Sequence, residues 1–437
     1  MIKPFISLRR RFTSLRWRTR ITLWAGATVA GLMVVMFARL ADVALTQFAE
    51  QSSAHPWLPF VYTPLVGMLV VWLTTRFFAG AQGSGIPQVI AATRLANKGQ
   101  DVSKLVSLRI ALAKIGLGTL ALTGGFSAGR EGPSVQVAAS IMHFCHRYLP
   151  NARIIRSEDL ILAGGAAGIA AAFNTPLAGI AFAVEELGRK LETRTSGVLL
   201  STIILSGMVA IALQGNYNYF GHLDVEEVKL DIIVPVLAAG IGCGLLGGLF
   251  SRMLLWPQRY HRFVVWEWRR AHPVWFAGAC GLVVAVLGWL SGGMSFGSGY
   301  GITSQIIAAD VGLPWHAPVT RFLATVVTYF SGIPGGIFAP SLAVGAAVGA
   351  AVGANAAEFF TLAAQPIIAL CMVGFLAAVT QSPITSAIIV MEMIDSHGMV
   401  ISLMAVALIA KAVSSRMGPE LYQQLARGFL HPPTKSP

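Results

Sequence analysis

The chain has 437 residues, 55% of them hydrophobic and only 12% charged, and a mean hydropathy of +0.67. Soluble domains carry about twice that charged fraction, so the composition excludes an ordinary soluble domain and points to an all-α polytopic membrane protein built from apolar runs of about 20 residues. The net charge of +13 does not mark a nucleic-acid binder, because the basic residues flank apolar runs instead of gathering on one polar face.

Taken in order, residues 1–20 form a basic segment: Lys3, Arg9, Arg10, Arg11, Arg16, Arg18 and Arg20 occur there with no acid. By the positive-inside tendency it faces the cytoplasm. The apolar run that follows is too long for a signal-peptide core and lacks a cleavage site, so it is read as a span. Two spans are expected, over 21–48 and 57–79. Residues 80–87 then read Gly-Ala-Gln-Gly-Ser-Gly-Ile-Pro, with Ser84 as the only hydroxyl. A short helix is expected from Ile86-Pro87, with Ser84 either its N-cap or an oxygen offered to a ligand. A charged linker over 98–109 leads into a span ending at Gly124.

The next stretch, Gly124-Gly125-Phe126-Ser127-Ala128-Gly129-Arg130-Glu131-Gly132-Pro133, is the one around which the chain is organised. An ionisable residue at membrane depth costs several kcal/mol unless paired or neutralised, and by default marks a path for an ion or proton. Gly132-Pro133 opens a helix with proline in its tolerated first turn. Glu131 then stands at a helix N-terminus, where outward amides attract an anion. The alternative is a helix cap that pairs with a nearby arginine.

From Leu160 the chain is small and apolar as far as Asn174-Thr175-Pro176, which predicts a Thr175 N-cap and proline at the first helical position. That helix carries Glu185 and Glu186. Adjacent residues lie about 100° apart on a helix, so the two carboxylates are expected on different faces, with i,i+4 pairing to Arg189 and Lys190 as the plain reading. Residues 224–231 are acidic and expected on the outer side, while Arg252, Arg259, Arg262, Arg269 and Arg270 form a second cytoplasmic cluster. Cys145, Cys243, Cys280 and Cys371 are scattered singly, and His143 and His146 have no partner ligands. Neither a disulfide framework nor a metal site is expected. No hydrolase motif such as His-Glu-x-x-His occurs, so the chain is not expected to be an enzyme.

The second half echoes the first. Pro133 and Pro340, Pro176 and Pro383, Gly129 and Gly336, and Glu185 and Glu392 all stand 207 positions apart. Gly83-Ser84-Gly85 has its echo at Gly297-Ser298-Gly299, 214 positions on. These offsets imply an internal repeat of about 200 residues, the kind from which transporters are built with substrate held between broken helices. A further break, Gly335-Gly336-Ile337-Phe338-Ala339-Pro340, and a last helix starting near Pro419 and carrying Tyr422 complete the set. Together they offer amides at Ile337 and Phe338 and hydroxyls at Ser84 and Tyr422, neutral donors that suit a small anion which must also leave. Glu131 among them competes with the anion while ionised and withdraws once protonated.

The motifs Gly83-Ser84-Gly85-Ile86-Pro87, Gly129-Arg130-Glu131-Gly132-Pro133 and Gly335-Gly336-Ile337-Phe338-Ala339-Pro340 resemble the signatures of the CLC chloride channel and transporter family, in the family's order. The resemblance implies two repeats of opposite topology, with halves over about 21–215 and 230–428, and a homodimer in which each subunit has its own pore. It also implies chloride binding by Ser84, Tyr422 and the amides of Ile337 and Phe338, with Glu131 as external gate. Glu186 matches the family's internal proton-transfer residue. Serine at 84 resembles chloride-selective members, and the pair Glu131 and Glu186 resembles proton-coupled exchangers more than passive channels. Gln88 stands where many members have an acid. The short tail over 429–437 resembles bacterial members without C-terminal regulatory domains, which implies a bacterial inner membrane. Chloride and protons are then the transported species, no cofactor is expected, and a passive gated chloride channel is the alternative.

Overall fold

The computed structural model describes residues 3–149, 155–188, 196–215, 220, 232–260, 262–309, 313–356 and 364–430. Arg189, Lys190, the acidic stretch 224–231 and residues 431–437 lie outside them, as do the side chains of residues 3–16. The described residues are helical throughout, with only two isolated backbone bridges. The first half contains α1 (Lys3–Ala54), α2 (Leu58–Phe77), α3 (Ile86–Asn97), α4 (Leu108–Thr123), α5 (Glu131–Cys145), α6 (Ser157–Phe173), α7 (Pro176–Phe182) and α8 (Ser196–Gln214). The second contains α9 (Ile233–Leu254), α10 (Trp256–Arg259), α11 (Val264–Ala271), α12 (Pro273–Leu290), α13 (Tyr300–Ala309) and α14 (Ala317–Ser331). It continues with α15 (Phe338–Ala356), α16 (Ala364–Thr380), α17 (Pro383–Ile394), α18 (Val400–Met417) and α19 (Leu421–Leu430).

No glycine or proline interrupts residues 5–25, so α1 carries the basic segment straight into the first span. Six described helices are long and apolar enough to cross a membrane: within α1, α2, α8, α9, α12 and the stretch His397–Met417. The shorter apolar helices start or stop part-way through the slab, which a bilayer tolerates only where the irregular backbone is buried in protein. The tip of α15 meets that condition, with Ile337 and Phe338 almost fully enclosed. Every residue of α16 from Pro366 to Thr380 is buried, as expected for a helix apolar all round.

The repeat is real in space. Helices α5, α6 and α7 begin 207 positions before α15, α16 and α17, and α3 begins 214 before α13. Gly129 and Gly336, equivalent residues, exchange two backbone hydrogen bonds of 2.7 Å each. A reciprocal antiparallel pair between equivalent residues requires a local two-fold axis between them, so the halves run with opposite topology. The same axis appears in the side chains. Glu392 accepts the amides of Leu177 and Ala178 at the start of α7, at 3.3 and 2.8 Å. Glu185 accepts those of Ile384 and Thr385 at the start of α17, also at 3.3 and 2.8 Å.

Candidate functional site

Backbone bonds draw the three glycine breaks together. Gly83 donates to Ile333 O and accepts from Gly335 N, both at 3.1 Å, alongside the Gly129–Gly336 pair. Only glycine fits the crossing: a Cβ on Gly132 would stand 2.4 Å from Ser84 Oγ, and one on Gly85 would stand 2.7 Å from Gly132 O. The tips of α3, α5 and α15 therefore converge in the buried interior. Helix α19 closes the group, held to α3 by a hydrogen bond from Arg94 to Gln423.

At this point lie the predicted donors. Ser84 is not the N-cap of α3; Gly85 is, at φ +104°. The cap is completed by Gln88, whose Oε1 accepts the Gly85 amide at 3.1 Å, a role not assigned to it from the sequence. The Ser84 hydroxyl is thus spared from capping, and both it and the Tyr422 hydroxyl are buried with no partner within 3.5 Å, facing each other closely enough to interact. Tyr422 also interacts electrostatically with Glu186, Tyr329 and Glu131. Ile337 and Phe338 precede and open α15, where first-turn amides have no helical carbonyl to meet. Buried hydroxyls without partners are costly. Their presence beside free amides describes a space that an acceptor would satisfy.

Glu131 is the first residue of α5 and is completely buried. Its Oε2 folds back over Gly129, where a Cβ would come within 2.3 Å. The neighbouring Arg130 reaches α1 instead, its Nη1 donating to Asp42 Oδ1 and Ala38 O at 2.6 Å each. Lys114, fully buried on α4, was not singled out from the sequence. Its Nζ donates to Ala81 O at 2.8 Å, Gly83 O at 2.6 Å and Gln82 O at 3.4 Å, which turns these carbonyls towards α4. A lone lysine within an apolar span was the available signal.

Glu185 and Glu186 depart from expectation. They lie in a π-helical segment, Ala183–Gly188, and both reach the tip of α17 instead of serving different faces. Ser382 Oγ donates to Glu186 Oε2 at 2.6 Å, next to the amides that Glu185 caps. The wider π turn narrows the angle between adjacent side chains, and one helix tip is broad enough to receive both. Gln423 also donates to Glu186 O at 3.1 Å, which ties this carboxylate's segment to the helix carrying Tyr422. Thr175 makes no side-chain cap on α7, since Glu392 takes those amides. Ser382 was legible only as the repeat partner of Thr175. His143 bonds Ser157 through Nδ1 at 2.8 Å, a packing contact between α5 and α6.

The chain matches the voltage gated chloride channel family over residues 66–415. It is 30% identical over 418 residues to the H(+)/Cl(-) exchange transporter ClcA of Yersinia pseudotuberculosis, covering 89% of this chain and 83% of that protein. It is also 30% identical over 435 residues to the ClcA exchange transporter of Cronobacter sakazakii, covering 92% and 88%. Among solved structures, a slow cyanobacterial Cl-/H+ antiporter superposes with a TM-score of 0.81 at 25% identity, over 95% of this chain and 99% of that one.

Proposed function

The chain belongs to the voltage gated chloride channel family, and from that premise we propose that it exchanges chloride for protons through a pathway inside each subunit. Antiport, not passive conduction, is the activity named for both exchange transporters above and for the cyanobacterial structure. The observation that carries the reading is the convergence of three helix tips on two buried hydroxyls that face each other beside a fully buried glutamate.

In this reading chloride sheds its hydration shell and is held by the Ser84 and Tyr422 hydroxyls and the amides of Ile337 and Phe338. These are dipoles, strong enough to replace water and weak enough to release the ion. The Glu131 carboxylate, drawn by the N-terminus of α5, competes for the same donors while ionised. Protonation from the outer side removes its charge and opens the space to chloride. Glu186, anchored by Ser382, passes protons between the inner solution and Glu131. Gly83, Gly85, Ile86, Pro87, Gly129, Arg130, Gly132 and Gly336 shape the tips without touching the ion through side chains.

Residues 21–428 act as one transmembrane unit, with a second copy of the chain as partner and the bacterial inner membrane as its site. No cofactor takes part. The deciding experiment reconstitutes the purified protein in sealed vesicles and imposes a chloride gradient while recording pH. Uphill proton movement is expected; chloride flux with no proton movement would leave the passive channel.

A further inference from the structure

Between Asp231 and Asp310 the chain carries five arginines and a single acid, Glu267. Three of those arginines share one corner of the molecule. Through the end of α9 and into α10, Leu249, Arg252, Met253 and Trp256 recur at steps of three and four residues, which sets them on one helical face. Pro257, with no amide to continue the ladder, turns the chain at α10. Arg259, Tyr260, Arg262 and Phe263 then come back over that face, and the eight side chains enclose a cavity of about 770 Å³. No acid lines it among the described residues. Arg252, Arg259 and Arg262 are exposed and form no ion pair there, and Arg259 lies 5.8 Å over the Tyr260 ring.

The corner stands where a span leaves the bilayer. Helix α9 is long and apolar enough to cross, and Ile241, Leu245 and Leu249, one turn apart, make an exposed apolar ridge that leads into the cavity. Such a ridge faces acyl chains. Trp256, Tyr260 and Phe263 are exposed at its end, the level at which aromatic rings gather beside head groups. Helix α11 secures the other side. At 100° per residue its side chains fall into three sectors. Val264, Val265 and Trp268 are exposed and apolar, and Glu267 and Arg270 are exposed and charged. Trp266 and Arg269 turn inward. Trp266 is only 6% exposed and meets Phe330 of α14 with ring centroids 4.8 Å apart. Arg269 Nη2 would lie 3.5 Å from a Cβ on Gly332. A helix with separate apolar and charged sectors lies in the plane of the membrane surface. The corner is therefore fixed to the protein on one side and open to lipid on the other, and its charge places it in the cytoplasmic leaflet.

We propose that this corner binds one anionic phospholipid of the cytoplasmic leaflet. Arg252, Arg259 and Arg262 hold the phosphate, whose oxygens match the planar guanidinium fork. Trp256, Tyr260 and Phe263 flank the glycerol, and an acyl chain follows Leu249 and Leu245 along α9. A small soluble anion would use the arginines and leave the apolar wall idle, so the combination favours the lipid. Arg252 and Arg259 also border a smaller cavity, about 210 Å³, towards Gly418 and Pro419, whereas Arg262 lines only the larger of the two.

The test counts lipids on the purified protein by native mass spectrometry, titrating phosphatidylglycerol against phosphatidylcholine with the same acyl chains. Phosphatidylglycerol is expected to bind about tenfold more tightly, and Arg252→Gln together with Arg262→Gln to abolish that preference. The same charge change at Arg18 and Arg20, exposed near the start of the first span, leaves the preference within about twofold. Millimolar inorganic phosphate does not displace the lipid. Equal binding of the two lipids, or equal loss from the two arginine pairs, would reduce the effect to general surface attraction. Displacement by phosphate would make the corner a site for a soluble anion. Each of these results overturns the proposal.

Discussion

Laid over one another at the 207-residue offset, the two halves place Glu131 on Phe338 and Glu186 on Met393. Around these positions the scaffold is matched. Ser134 Oγ donates to Arg130 O at 2.9 Å and Ser341 Oγ to Ile337 O at 2.6 Å. Glu185 and Glu392 cap each other's opposite helices with the same pair of distances. The difference teaches that the framework uses both halves alike, whereas the proposed exchange calls for an acid in only one. In that proposal Phe338, at the helix tip of the second half, leaves its amides uncontested for an anion, and a second carboxylate there would repel both the ion and Glu131.

Removing the first half's acids is the most severe way to break that comparison. Glu131→Ala is expected to abolish proton coupling while chloride flux continues, read with a pH electrode on vesicles under a chloride gradient. Protons still driven uphill would place the gate elsewhere. Glu186→Met, which copies the second half, should lower proton movement about a hundredfold with chloride still crossing. Coupling that persists would mean another inner carrier. The matched caps give a smaller and symmetrical effect. Glu185→Ala and Glu392→Ala each remove two charge-assisted bonds and should each destabilise the protein by about 2 kcal/mol, seen as equal losses of thermal stability in detergent. A loss confined to one would deny the equivalence. Smallest is Ser84→Ala, which removes one neutral donor worth about 1 kcal/mol and should weaken chloride binding about fivefold by calorimetry. Unchanged affinity would exclude the hydroxyl from the site.

Much of this architecture is readable in one dimension because it is local. Gly83, Gly85, Gly129 and Pro133 break or start helices through their own backbone preferences, and α5, α7 and α17 begin where glycine and proline predict. Where the local rules failed, a distant partner had taken over. Thr175 lost its capping role to Glu392, and Glu185 left its own helix to hold α17; only at α3 was the exchange local, Gly85 with Gln88 capping in place of Ser84.

The sequence by itself determined where helices break, that the chain repeats itself, and which residue types could meet an anion and a proton, since these follow from backbone sterics and apolar periodicity. Only the tertiary structure decided which glutamate of the 185–186 pair serves the framework, that Lys114 lies beneath the first glycine break, and that Asp42 holds Arg130. Those choices depend on side chains meeting from positions tens to hundreds of residues apart, some within one half and some across the two-fold axis. No pattern within a single helix records such a meeting, because helical periodicity sets the face a residue occupies and not the neighbour it finds there.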